Sequence, residues 1–168
     1  GGSVLTSAYL ASMIYGGASA DEIFAKLIFN AKNEGSLYPF FEEIRIYGKD
    51  GNYSETDLGI NRLDGLTRLY VITSRGTASA SEMIINGLTP YLSEVIKIGT
   101  TTYGKNVGSI TLYDNPSKDY EEEPSSSQTQ SHFNAMQPIV FQIYNKNRES
   151  DYTQGFDPTI EIEEYEYF

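Results

Sequence analysis

Apolar residues recur with a helical period near the start of the chain and with strand-like runs further on. Between Val4 and Tyr15, Leu5, Tyr9, Leu10, Met13 and Ile14 fall near one face of a helix, which Gly16-Gly17 ends. From Ala20 to Phe29 the spacing predicts a second helix, opened by Ser19 or Asp21, with Ile23, Phe24, Leu27 and Ile28 as its apolar face. The pattern then changes. Ile44, Ile46 and Tyr47 lead into Lys49-Asp50-Gly51-Asn52, the composition of a tight turn between two strands. Asp50, Asn52, Ser54 and Asp57 make an oxygen-rich set, but the glycine and the closing Glu of a calcium-binding loop are not at their positions, so the turn is the better reading.

The most regular stretch lies in the middle. Arg68–Thr73 reads as a buried strand, Ser74–Thr77 as a turn, Ala78–Leu88 as a helix ended by Pro90, and Glu94–Gly99 as another strand. A strand–turn–helix–strand unit of this kind sets two strands side by side and parallel. Val107–Tyr113 and Pro138–Tyr144 add strands, and Ile160-Glu161-Ile162-Glu163 alternates as a last, exposed one. Asp114–Ser131, with Glu121-Glu122-Glu123 and Ser125-Ser126-Ser127, predicts a mobile, solvated loop. The expectation is an α/β fold without internal repeats.

Composition narrows the chemistry. With 39% hydrophobic residues, 14 Tyr and 8 Phe, a globular core is expected. No apolar run nears the roughly 20 residues of a membrane-spanning helix, and no signal-peptide pattern opens the chain. Cysteine is absent, which excludes disulfides, thiolate nucleophiles and Cys-ligated zinc. His132 is the single imidazole, so a multi-histidine metal site is excluded; neither a metal site nor a cofactor is expected. The net charge is −11, unevenly spread: residues 1–113 hold 11 acids and 9 bases, residues 114–168 hold 12 acids and 3 bases. Such a tail repels phosphate, so no nucleic-acid partner is expected.

One segment carries candidate chemistry. Gly76-Thr77-Ala78-Ser79-Ala80-Ser81-Glu82 lies between a buried strand and a helix, where free backbone N–H groups favour negative charge and would stabilise an oxyanion. Ser79-x-x-Glu82 is equally an ordinary capping box. For a base, His132 sits beside the acidic loop, whereas Lys105 follows Tyr103-Gly104 just after the second parallel strand. Neighbouring parallel strands end on one side of a sheet, so Ser79 and Lys105 can meet there. A lysine acts as a base only when neutral, which requires desolvation; a solvated surface lysine is the plainer reading.

These residues resemble the carboxyl-terminal processing peptidases, or tail-specific proteases. Thr77-Ala78-Ser79-Ala80-Ser81-Glu82 is similar to that family's serine motif, and Gly99-Thr100-Thr101-Thr102-Tyr103-Gly104-Lys105 to its lysine motif, with the lysine 26 positions after the serine. Asn86-Gly87-Leu88-x-Pro90-Tyr91 and Gly104-Lys105-Asn106-Val107-Gly108-Ser109 resemble the versions common in Bacteroidetes, and Gly155-Phe156-Asp157-Pro158-Thr159-Ile160 resembles a further family segment, with Thr159 where Asp is usual. The likeness runs from Gly1 to about Glu161.

The resemblance implies a ClpP/crotonase-like mixed sheet with packed helices, incomplete at the N-terminus, and residues 1–168 as the C-terminal part of a single serine-peptidase catalytic domain. It implies Ser79 as nucleophile, Lys105 as general base, and the N–H groups of Ala80 and Gly2 as oxyanion donors. Ser109 stands where many members have a lysine-orienting Gln, and takes that place as a candidate. The implied substrate is unfolded protein or peptide, cleaved near its C-terminus, in the bacterial cell envelope as a periplasmic protein or surface lipoprotein. A non-catalytic domain that binds peptide or glycan through a Tyr-rich acidic surface is the alternative. Acyl-thioester chemistry on a related fold is a third, and has no need of Lys105. The distance between Ser79 Oγ and Lys105 Nζ discriminates among them.

Overall fold

A computed structural model describes residues 1–19, 21–30, 35–45, 58–114, 120 and 134–163. Along the chain run α1 (Val4–Ile14), β1 (Ile23–Phe29), β2 (Ser36–Pro39), β3 (Glu43–Ile44), β4 (Leu58–Gly59), β5 (Arg68–Thr73), α2 (Ala80–Leu88), β6 (Glu94–Gly99), β7 (Val107–Ser109), β8 (Leu112–Tyr113), β9 (Ala135–Met136), β10 (Ile139–Tyr144) and β11 (Ile160–Glu161). The turn at residues 49–52, the oxygen-rich set around it, His132 and most of the acidic stretch 114–131 lie outside the described residues.

The fold is mixed α/β. An antiparallel sheet has the order β2-β1-β10-β7, and a parallel sheet the order β11-β6-β5. Two short antiparallel pairs, β3 with β4 and β8 with β9, stand apart. The parallel pairing of β5 and β6, from Arg68 opposite Glu94 to Thr73 opposite Gly99, is the one the strand–turn–helix–strand pattern predicts.

The helix expected over residues 20–29 is a strand, β1. Ile23-Phe24-Ala25-Lys26-Leu27-Ile28-Phe29 is seven residues, five of them aromatic or branched, short for a helix and right for a central strand. Paired on both edges, it gains ladder bonds that local periodicity does not register. A register shift between Ile23 and Ala25 turns both Phe24 and Ala25 inward.

The helix α1 is where expected, but its inward face differs. Leu5 and Leu10 are exposed, and Ser7, Ala8, Ala11 and Ser12 are buried. Small side chains let α1 approach the start of α2 closely, and Ser7 Oγ donates to Ala80 O at 2.9 Å. The strand expected over Val107–Tyr113 breaks in two, as β7 and β8 pair with different partners. The core gathers Phe24, Leu27, Phe40, Met83, Leu88 and Ile143 between α2 and β1 and β10. Gly87 faces the Phe24 ring there, where no larger residue fits. One face of the parallel sheet packs toward this core through Leu69 and Val95; the opposite face leaves Tyr70, Ile72, Ile160 and Ile162 open.

Candidate active site

The β5 strand ends at Thr73, and a turn closed by Thr77 N–H donating to Ser74 O at 2.9 Å carries the chain to Ser79, the N-cap of α2. Ser79 has φ 57° and ψ −116°. This is the mirror image of ordinary extended backbone, open to glycine and costly for any side chain. A sharp strand-to-helix turn of this kind is also where nucleophile elbows place a serine; here Ser79 and Glu82 stand in capping-box positions. Ser79 is half-buried, and Ala80 N–H at the first turn of α2 donates to no group among the described residues. Gly2 lies against Ala80, and a hollow of about 190 Å³ beside them is lined by Gly1, Gly2, Thr6, Ala80 and Ser81. The two residues expected to supply oxyanion N–H groups are thus neighbours.

Lys105 arrives from the end of β6. The segment Gly99–Lys105 is anchored to the serine turn, with Thr100 N–H donating to Thr73 O at 3.0 Å and Tyr103 N–H to Thr77 O at 2.9 Å. On its other side, Thr102 N–H donates to Phe156 O at 3.2 Å and Thr102 Oγ1 accepts from Phe156 N–H at 2.7 Å. Gly104 and Gly155 have φ 92° and 87°, and a side chain at either would strike the other segment's backbone. Both must be glycine for the two segments to touch.

Glu82 ties serine and lysine together. Its side chain is fully buried. Oε2 accepts from Ser79 N–H at 2.9 Å and from Lys105 N–H at 2.8 Å; Oε1 accepts from Thr102 Oγ1–H and Gly104 N–H, both at 2.6 Å. Four donors meet the four lone-pair directions of one carboxylate. The main-chain nitrogens of Ser79 and Lys105 therefore stand no farther apart than those two hydrogen bonds laid end to end. Sequence reading takes Glu82 as a helix cap alone. The signal for its wider role is the hydroxyl and glycine of Thr102-Tyr103-Gly104-Lys105, whose donors have no partner until the fold brings Glu82.

The side chains themselves do not join. Among the described residues the Lys105 ammonium makes no hydrogen bond or ion pair, and Lys105 is exposed. Ser109 ends β7 opposite Ile139 and makes no side-chain hydrogen bond among the described residues. Tyr152, stacked on Phe156 with ring centroids 4.6 Å apart, is buried next to Glu82; its hydroxyl has no partner among the described residues. Burial, and then the negative charge of Glu82, push that hydroxyl well above the usual tyrosine value of 10.0. Among the described residues no group of three or more acidic or His side chains could hold a metal ion, and no helix is long and apolar enough to cross a membrane.

Solved structures share this arrangement of elements. A Bacteroides fragilis protein assigned to the S41 proteases is 27% identical, with a TM-score of 0.64 over 98% of this chain and 35% of that one. The fold is that of the S41 proteases. The photosystem II D1 C-terminal processing protease has it at 17% identity and a TM-score of 0.57, over 97% of this chain and 32% of that one. A Streptococcus agalactiae lipoprotein has it at 14% identity and 0.51, over 96% and 46%. This chain spans about a third of the length of the first two. No protein-family pattern and no curated protein matches it.

Proposed function

We propose that the chain carries the serine and lysine of a serine endopeptidase that cleaves unfolded polypeptides near their C-termini. Residues 1–168 would then form part of its catalytic domain. The observation that carries the proposal is the single Glu82 oxygen that accepts from both Ser79 N–H and Lys105 N–H. Likeness to an S41 protease at 27% identity supports the reaction class.

In the reaction, Ser79 Oγ attacks the carbonyl carbon of the scissile bond while Lys105 Nζ takes its proton. The oxyanion is held by Ala80 N–H and Gly2 N–H. Lys105 returns the proton to the leaving amine, and its Nζ, neutral again, takes a proton from the water that attacks the acyl carbon and then passes it to Ser79 Oγ as the acid leaves. A neutral lysine needs a dry surrounding. Lys105 is exposed in the free chain, so the polypeptide laid across it supplies the desolvation. The reaction as written uses no metal or cofactor. The resemblance to envelope peptidases supports a place in the cell envelope.

The test is modification of Ser79 by a fluorophosphonate, run beside hydrolysis of an unfolded protein. Ser79→Ala and Lys105→Ala should each abolish both, and the double variant should be little worse than either. Ser81→Ala and His132→Ala should retain them. Labelling that needs His132, or that survives Lys105→Ala, refutes the dyad. The exposure of Lys105 and the lack of a direct bond to Ser79 favour a second reading, a non-catalytic peptide- or glycan-binding domain. That reading predicts no labelling, with retained peptide or glycan binding.

A further inference from the structure

Lys105 has no side-chain partner among the described residues, so its direction is set through its main chain. Toward the N-terminus Glu82 holds it, by Gly104 N–H and Lys105 N–H. Toward the C-terminus stands Asn106, 4% exposed. Its carbonyl accepts from Ile143 N–H of β10 at 2.8 Å. Its Nδ2 donates to Ser150 O at 2.7 Å and to Ser150 Oγ at 3.2 Å. Ser150 is itself pinned, with Oγ donating to Ile143 O at 2.7 Å and accepting from Gln142 Nε2–H at 3.2 Å. The residue after the lysine is thus fixed to two segments about forty residues away, whereas Ser109 makes no side-chain hydrogen bond among the described residues.

Resting on the dyad proposed above, we infer that Asn106 is a positioning residue for Lys105: its amide latches the lysine loop to Ser150 and so aims the ammonium at Ser79. The fold supplies a matched control. Asn86, 7% exposed in α2, donates its Nδ2 to Glu149 O at 2.9 Å. Two buried asparagines therefore bond consecutive carbonyls of one loop, and only one adjoins Lys105. A structural role predicts like effects for both; a positioning role separates them.

The experiment compares Asn106→Ala, Asn106→Asp and Asn86→Ala in the 168-residue chain. Asn106→Asp keeps the shape but not the donor. Three readouts are taken: the melting temperature, the second-order rate of Ser79 modification by a fluorophosphonate, and amide hydrogen exchange at Gly104 and Lys105. Asn106→Ala and Asn86→Ala should melt at similar temperatures. Both Asn106 variants should slow modification by about 10-fold to 100-fold and speed exchange at Lys105. Asn86→Ala should stay within about 2-fold of wild type in both. Equal slowing by Asn106→Ala and Asn86→Ala overturns the inference and leaves the dyad standing. If wild-type Ser79 is not modified, the dyad reading fails, and exchange then decides the latch alone: unchanged Lys105 exchange in Asn106→Ala overturns it. Should Asn106→Ala not fold, Asn106→Asp carries the same comparison.

Discussion

Ser79 is strained where it stands, and the strain can be measured. A non-glycine residue at φ 57°, ψ −116° costs about 1–3 kcal/mol. Ser79→Gly relieves that cost, while Ser79→Ala keeps it; the glycine's extra freedom in the unfolded chain takes back about 0.5–1 kcal/mol. Both lose the serine hydroxyl, so calorimetry should find Ser79→Gly melting above Ser79→Ala by a few degrees, at about 2–4 °C per kcal/mol. A glycine variant that melts at or below the alanine variant would show that the serine is not strained. Glu82 sets the opposite case. Glu82→Ala leaves four donors without their acceptor in the interior. Each orphaned group costs about 1–3 kcal/mol, so a loss of several kcal/mol is expected out of the ~5–15 that holds a typical domain. An unchanged urea midpoint would show that this carboxylate organises nothing.

Within α2 two effects oppose each other at Gly87. Alanine is better than glycine inside a helix by about 1 kcal/mol. Here the new methyl would meet the Phe24 ring, and overpacking a core costs about 1–3 kcal/mol. The second wins, so Gly87→Ala should lower the melting temperature; a rise would mean that Phe24 moves freely. Elements differ in how far local pattern discloses them. The unit β5–α2–β6 is legible because its apolar runs, turn and helix each follow one period, and the two strands then lie parallel as the connection demands. The strand β1 is not, because its six apolar residues satisfy a helix face and a buried strand alike, and pairing with β2 and β10 decides. The inward face of α1 is missed because large residues draw the eye while Ser7, Ala8, Ala11 and Ser12 do the packing. At the site, Ser79 and Lys105 stand in recognisable local motifs. The bond of Glu82 to Ser79 is the local capping box, but its hold on Lys105, and that of Ser150 on Asn106, joins positions far apart in sequence and has no local period to betray it.

Across the whole molecule, two tyrosines make stability depend on alkaline pH. Tyr91 and Tyr152 are both raised above 10.0, chiefly by burial and next by the charges of Glu22 and Glu82. A group whose folded value is raised contributes stability that is intact below its unfolded value and lost as pH rises past it. The urea midpoint should therefore hold to about pH 9 and fall above about pH 10, less steeply in Tyr152→Phe. A flat profile through pH 11 would contradict the burial of Tyr152 and the partial burial of Tyr91. The same scale governs when the site can exist. Thr102 leans on Phe156, Gly104 on Gly155 and Asn106 on Ser150, so the wall behind the lysine is the part of the chain made late. A ribosome that has delivered both Ser79 and Lys105 has still to deliver residues 150–156, against which the lysine segment packs. Chains emerge from the N-terminus at roughly 5–20 residues per second, so under the proposed function the site would stay unassembled for the seconds that separate Lys105 from residues 150–156 in synthesis.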